Sequence, residues 1–376
     1  MNTVKLTIAE LRKNKGVTQS ELADFLGVSF QSISKWENGI TMPDILLLPK
    51  ISEYFKVSID EILGLKPLKN REYKSRRTDS KEHWNKQLNY LKNSRVEFWN
   101  YDYLEFLVKN VWNITKPIKI IDFGCGYGYL GMMLLPILPT GSVYTGIDIS
   151  DELIDEAKLF FKDSDYSVEF IKSDINTFDV KEKYDMAICQ ALLRHLPNPK
   201  DILKKMIDSV SCGGLVVCIE VNREFENTGL YIHGMDYSLG NKTSTMQKLW
   251  KTELELEGRD YSIGMKIPFY MQEYGLKNID VRLNDKVNFI NPYGNKDRYN
   301  KLIDSLIKAN NWDIELSDDR KENIIKLFMN RGLTRSEAEI YIQSELGIRN
   351  YFMDNLENAL ALRTLCLLIS YGTKGQ

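Results

Sequence analysis

The sequence predicts an α/β protein, a parallel sheet covered by helices on both faces and preceded by a small all-α unit. Three observations carry this expectation. The apolar runs KIIDFG, SVYTGIDI, VEFIKSDI, YDMAICQA and GLVVCIEV have strand length and alternate with helical patterns, the spacing of βαβ units. Residues 1–65 contain no such run; Leu11, Leu22, Leu26, Ile33, Trp36, Ile51, Phe55 and Ile62 recur there at helical intervals between Gly, Asn and Pro punctuation. Between the two, residues 66–81 turn basic, with Lys66, Lys69, Arg71, Lys74, Arg76, Arg77 and Lys81 facing only Glu72 and Asp79, and read as a solvated linker.

The expected division is therefore an all-α domain over 1–65, the linker 66–81 and a larger α/β domain over 82–376. A length of 376 residues suits two cores. A net charge of −2 excludes a polycationic coat for nucleic acid, so any DNA contact must be local. The opening MNTVKLTIAELRKNKG is interrupted by charges too often for a signal sequence, and no apolar run reaches the length of a membrane span, so a cytoplasmic protein with no membrane partner is expected. Cys125, Cys189, Cys212, Cys218 and Cys366 are odd in number and scattered; they read as reduced core thiols, and no metal site is expected.

Within the larger domain an aromatic, helical lead-in (Trp84 to Trp112) comes first and the strand–helix alternation follows. The last third breaks the rhythm. KNIDVRLNDKVNF and LRTLCLLISYG each read as one strand, separated by a helical insertion at about 291–361. Its amphipathic patterns, RYNKLIDSLIKANNW and RSEAEIYIQSELGI, suit a lid, a substrate wall or a dimer surface.

The chemistry concentrates where strands end. In IDFGCGYGYLG, Gly124, Gly126 and Gly128 let the backbone turn sharply and approach a ligand, and Asp122 supplies a carboxylate at the end of the first strand. The spacing G-x-G-x-G differs from that of nicotinamide sites, and the Gly-Lys-Ser/Thr ending of a Walker loop is absent, which disfavours phosphate binding. The second strand ends in GIDIS, so Asp148 can accept hydrogen bonds from both hydroxyls of a ribose. The third ends in KSDINTF, where Asp174 can accept from an exocyclic adenine amine, and the fourth in CQALLRHLPNP, whose residues Gln190 to Leu193 line the other side. Glu220, at the end of the fifth, orients a substrate amine or meets solvent.

The order D-F-G-C-G-x-G, D-I-S, S-D-I, L-x-H-L-P-N-P and C-G-G before a strand resembles class I S-adenosylmethionine-dependent methyltransferases, over about 81–291 and again at the final strand. The resemblance implies a Rossmann-like, seven-stranded sheet whose last strand runs antiparallel. It also implies S-adenosylmethionine as cofactor, with Asp122, Gly124 and Gly126 around the methionine part, Asp148 at the ribose, and Asp174 with Ile175 at the adenine. Cys125, Gly128, Tyr129, Ile149, Gln190 and Ala191 complete this expected site, and Tyr103 of the lead-in closes over it. Because a sulfonium is already an activated leaving group, alignment and exclusion of water are the main requirements. His195 and His233 are the candidate bases for an unidentified methyl acceptor, with a small molecule favoured. The amino-directed N/D-P-P-Y/F signature and the Pro-Cys pair of cytosine C5 enzymes are both absent, which disfavours DNA as acceptor.

TQSELADFLGVSFQSISKWENG resembles the Xre family, the helix-turn-helix type of lambda repressor and Cro, over about residues 5–63. Thr18 caps one helix, Gly27 makes the turn, and Ser29 caps a second helix exposing Phe30, Gln31, Ser32 and Lys35. The resemblance implies double-stranded DNA as partner, contacted through Gln19, Ser29, Phe30, Gln31, Ser32, Lys35 and Asn38, and a homodimer on two half-sites. Residues 1–65 carry seven Lys or Arg and eight Asp or Glu, so phosphate contacts would fall to the linker. Two functions fit: an enzyme attached to its own DNA site, or a transcription regulator whose methyltransferase-like domain senses the cofactor without turnover.

Overall fold

The structure, a computed structural model, describes residues 4–66, 68, 80–95, 97–236 and 243–375. The chain forms two compact units, one of Met1–Ser75, Ser244–Thr252 and Glu315–Gly347, the other of Arg76–Thr243, Glu253–Ile314 and Ile348–Gln376.

The first unit opens with helices α1 (Ile8–Lys15), α2 (Gln19–Leu26), α3 (Phe30–Glu37), α4 (Leu48–Phe55) and α5 (Ile59–Ile62). Local chemistry sets their ends. Thr18 and Glu21 form a reciprocal capping box at the start of α2, Gly27 stops it in the left-handed region at φ 73°, and the Ser29 hydroxyl accepts the Ser32 N–H to start α3. Leu22, Ala23, Leu26, Ile33 and Trp36 then meet Ile8, Ile51 and Phe55 in one core. Arg12 and Glu37 cross that core's edge as a nearly buried ion pair of 2.6 Å. The helix Asp318–Asn330 and the first part of Arg335–Asp354 belong to the same unit, held together by Ile325, Met329, Ala338 and Ile342 and by Arg335, which bridges Glu322 and Glu339.

The second unit is built on strands β1 (Lys119–Phe123), β2 (Val143–Asp148), β3 (Ser167–Lys172), β4 (Tyr184–Gln190), β5 (Val210–Val221), β6 (Leu230–Ile232), β7 (Lys277–Leu283), β8 (Val287–Ile290), β9 (Ala361–Thr364) and β10 (Leu367–Thr373). The main sheet has seven strands in the order β3-β2-β1-β4-β5-β10-β7, with β10 antiparallel to both its neighbours. Separate apolar cores cover its two faces, one around Phe98, Leu104, Tyr144 and Phe170, the other around Phe123, Leu203, Met206 and Ile267.

Two expectations are corrected. KNIDVRLNDKVNF is not one strand but β7 and β8, and LRTLCLLISYG is β9 and β10. In each run one half joins the main sheet and the other half a second, three-stranded sheet ordered β6-β9-β8. The breaks are local. Asn284 leaves the ladder side-on, its Oδ1 accepting the Leu367 N–H at 2.8 Å and its Nδ2 donating to the Phe98 carbonyl at 2.8 Å, while Cys366 takes φ 51°.

Candidate functional site

After the buried strand β1 the chain turns through Gly124 (φ 69°) into the helix Tyr129–Leu134. A side chain at Gly124 would place its Cβ 2.7 Å from Leu192 Cδ1, so the loop lies flat against the end of β4. It is laced to β2 as well: the Cys125 N–H donates to the Ile147 carbonyl at 2.9 Å and the Gly126 N–H to Asp148 Oδ2 at 2.8 Å. The result is a cleft at the carboxyl ends of the central strands, the place expected of a small-ligand site in an open α/β sheet.

Asp122, Gly124, Cys125, Gly126, Tyr129, Asp148, Ile149, Asp174, Ile175, Gln190, Ala191 and His195 all line this cleft. Gly128, Tyr103 and His233 do not. Gly128 faces the core, where an added Cβ would meet Phe170 at 3.2 Å. The Tyr103 hydroxyl donates instead to the Leu283 carbonyl at 3.0 Å and its ring stacks on Phe106. His233 is exposed just beyond β6, its N–H bonded to the Leu360 carbonyl. No residue of the 291–361 insertion lines the cleft, so the lid and substrate-wall readings of those helices have no geometric support.

The sequence reading missed Trp84, Leu91 and Arg95, which line the cleft from the lead-in in place of Tyr103. Nothing in the sequence sets Arg95 apart from Lys86, Lys92 and Lys109 of the same segment. Its guanidinium forms no hydrogen bond or ion pair among the described residues; it lies 4.5 Å from the Phe98 ring, and burial pulls its pKa down.

Burial also governs the acids. Asp122 is 1 % exposed, accepts a hydrogen bond from the Tyr144 hydroxyl, and has no partner for Oδ1 among the described residues. Desolvation pushes its pKa up to about 7, opposed by the Tyr144 bond and reinforced by the neighbouring Asp148. Asp148 is raised by burial too, but the N–H groups of Ser150 and Gly126 hold it back. Glu220 neither meets solvent nor reaches the cleft: it is fully buried, its Oε1 accepts the Leu192 and Leu193 N–H groups at 2.9 and 2.7 Å, and desolvation lifts its pKa to about 7. It fixes the loop after β4. On that loop His195 packs edge-on against Trp84 and receives a hydrogen bond from Arg194 Nε on its Nε2. Burial first, then the positive charges of Arg194, Arg223 and Arg259, drive its pKa well below the ordinary imidazole value, so the ring is neutral and a poor proton acceptor.

In the first unit, α3 exposes Phe30, Gln31 and Lys35, and Ser29 and Asn38 are exposed at its two ends. Some polar groups there are already engaged. Gln19 Nε2 donates to Glu37 at 2.7 Å, Ser32 Oγ lies 2.9 Å from Ser29 Oγ, and Asn38 Nδ2 donates to the Ser34 carbonyl at 2.8 Å. The linker cations Lys69, Arg71, Lys74, Arg76 and Arg77 lie outside the described residues.

A parallel sheet with an antiparallel strand inserted near one edge, and a glycine turn facing strand-end aspartates, defines a nucleotide-binding α/β domain of the methyltransferase type. Residues 114–259 match the family described as "Methyltransferase domain", and residues 8–62 the family described as "Helix-turn-helix". The chain carries a Xre-type helix-turn-helix domain followed by a methyltransferase domain. Over 123 residues it is 30% identical to the ubiquinone biosynthesis O-methyltransferase of Shewanella pealeana (strain ATCC 700345 / ANG-SQ1), covering 32% of this chain and 51% of that protein. The protein of the same name from Rickettsia bellii (strain OSU 85-389) is 25% identical over 157 residues, 42% of this chain and 64% of its own. The chain thus spans about half to two thirds of the curated relatives it matches. Phosphoethanolamine N-methyltransferase 2 of Haemonchus contortus, solved with S-adenosyl-L-methionine, aligns over 79% of this chain and 58% of its own at 13% identity and a TM-score of 0.43.

Proposed function

We propose that the second unit binds S-adenosylmethionine in the cleft and transfers its methyl group to a small-molecule acceptor, while the first unit binds double-stranded DNA. The observation that carries the reading is the convergence of the glycine turn with Asp122, Asp148 and Asp174 on one cleft. Asp148, anchored by two backbone N–H groups, has lone pairs left for the ribose hydroxyls. Asp174 and Ile175 meet the adenine. Asp122 Oδ1, buried and without a partner among the described residues, takes the methionyl ammonium, and Arg95, whose guanidinium makes no hydrogen bond or ion pair among them, takes the carboxylate. Gln190, whose Oε1 is held by Trp99 Nε1 at 2.8 Å, and Ala191 form the opposite wall.

When bound, the cofactor supplies an activated methyl group that leaves without acid assistance. The chain's own task is to align the acceptor and exclude water, which suits the apolar faces of Trp84, Leu91, Leu192 and Leu196. His195 shapes this acceptor wall as a neutral ring. The name of the curated relatives favours an oxygen atom as acceptor. On DNA, Phe30, Gln31, Ser32 and Lys35 meet base edges and Gln19, Ser29 and Asn38 meet the backbone, with two copies on two half-sites.

Incubation of the full chain with methyl-labelled cofactor and cell extract tests the enzyme reading; label in a low-mass acceptor is expected. Binding without transfer to any acceptor would leave a cofactor-sensing regulator instead. Selection from random duplexes tests the DNA reading, with a Gln31→Ala chain losing the preference at one base position per half-site.

A further inference from the structure

We propose that Lys205 is a positioning residue that sets the adenine end of the cleft, an inference that rests on the cofactor reading above. Beyond β3 the backbone leaves the sheet at Ser173, whose N–H donates to the Asp148 carbonyl at 2.9 Å. It then folds into one tight turn around Asp174. Asp174 Oδ1 accepts from the N–H and the side-chain amide of Asn176, both at 2.8 Å, and its carbonyl accepts the N–H groups of Thr177 and Phe178 at 3.1 and 2.8 Å. That accounts for one end of the turn. At the other end the carbonyls of Ile175, Asn176 and Phe178 converge on Lys205 Nζ at 2.7, 2.9 and 2.8 Å.

An ammonium group has three hydrogens to donate, and these three carbonyls use all of them. Lys205 forms no ion pair among the described residues, unlike the adjacent Lys204, which makes an ordinary exposed pair with Asp208 one helical turn on. The helix Pro199–Ser209 that carries Lys205 is itself rigidly placed, with Ile202, Leu203, Met206 and Ile207 buried in the core on that face of the sheet. A long, entropically costly side chain is thus immobilised to hold a turn whose carbonyls at Ile175 and Phe178 are part-buried and at Asn176 exposed. What the clamp fixes is the position of Asp174 and Ile175, two residues of the cleft lining. The carboxylate and backbone that would read the adenine edge depend on it, although the ammonium itself touches no ligand.

The test uses the full chain, its Lys205→Met and Lys205→Arg variants, and calorimetric titration with S-adenosylhomocysteine and with S-inosylhomocysteine, in which a carbonyl replaces the adenine amine. Lys205→Met should bind the adenosyl compound about tenfold or more weakly while its affinity for the inosyl compound changes much less, so that the preference for adenine shrinks. Lys205→Arg, charged but planar, should fall between. Wild-type preference in Lys205→Met overturns the proposal. So does an equal loss for both compounds, because that is what a merely structural lysine would give. If the unaltered chain binds neither compound, the cofactor reading itself fails and the inference falls with it.

Discussion

Near neutrality Asp122 is a carboxyl group poised between two protonation states, because burial has lifted it to about 7 and its Oδ1 has no partner among the described residues. A methyl donor with a cationic amino group should pull it to the ionised form and release a proton. Affinity for S-adenosylhomocysteine is therefore expected to rise by about tenfold from pH 6 to pH 8, with calorimetric heats that depend on the buffer's ionisation enthalpy. Asp122→Asn should flatten that dependence and Glu220→Gln should keep it; the reverse pattern would move the linked proton to Glu220. Stability without ligand has a definite sign. Both carboxyls ionise at about 4 when unfolded and about 7 when folded, so the stability they contribute is present at low pH, is lost as pH rises through that window, and is flat above it. Denaturant midpoints across pH 4 to 8 read this directly. The places of Asp122, Asp148 and Asp174 on the cleft could be read from the sequence because Asp122 and Asp148 end strands and Asp174 follows one by two residues. Arg95 and Glu220 could not, since their roles depend on which neighbours burial leaves them. Tyr103 and His233 lie off the cleft lining, because proximity along the chain to a strand or a glycine turn does not fix the direction of a side chain.

The helix Tyr129–Leu134 lies against β2 through Gly131. A Cβ added there would sit 2.9 Å from the ring of Tyr144, whose hydroxyl holds Asp122. Gly131→Ala is expected to cost about 1–3 kcal/mol in denaturant unfolding and to weaken cofactor affinity through Asp122; an unperturbed protein would show that the helix shifts freely. Helix ends and the five parallel strands were legible because caps, glycines and apolar runs act locally. The second sheet was not. Two of its strands, β8 and β9, adjoin β7 and β10 in the same runs, where the side-on bonding of Asn284 and the left-handed Cys366 mark the breaks. A hydrophobicity pattern carries neither signal.

At the scale of the whole chain, 50 basic residues nearly balance 52 acidic ones, so neither DNA nor cofactor is drawn in by net charge. The helix-turn-helix domain must rely on local groups, of which Lys35 is one exposed cation on α3. The logarithm of its DNA affinity is expected to fall with the logarithm of salt concentration at a slope of about −5 or shallower. A slope near about −10 would shift the binding to the linker cations. The insertion was legible as helices but not in its allegiance. Residues 315–347 join the N-terminal unit through partners as distant in sequence as Lys5 and Glu322, a pairing no periodicity predicts. The central claim, that strand ends assemble an adenosyl site in the second unit, is tested most directly by calorimetric titration of the full chain and its Asp148→Ala variant with S-adenosylhomocysteine. Saturable binding by the unaltered chain and a loss of about tenfold or more in the variant are expected, since a charged acceptor is worth about 1.5–3 kcal/mol. Equal affinities, or no heat from either protein, would contradict it.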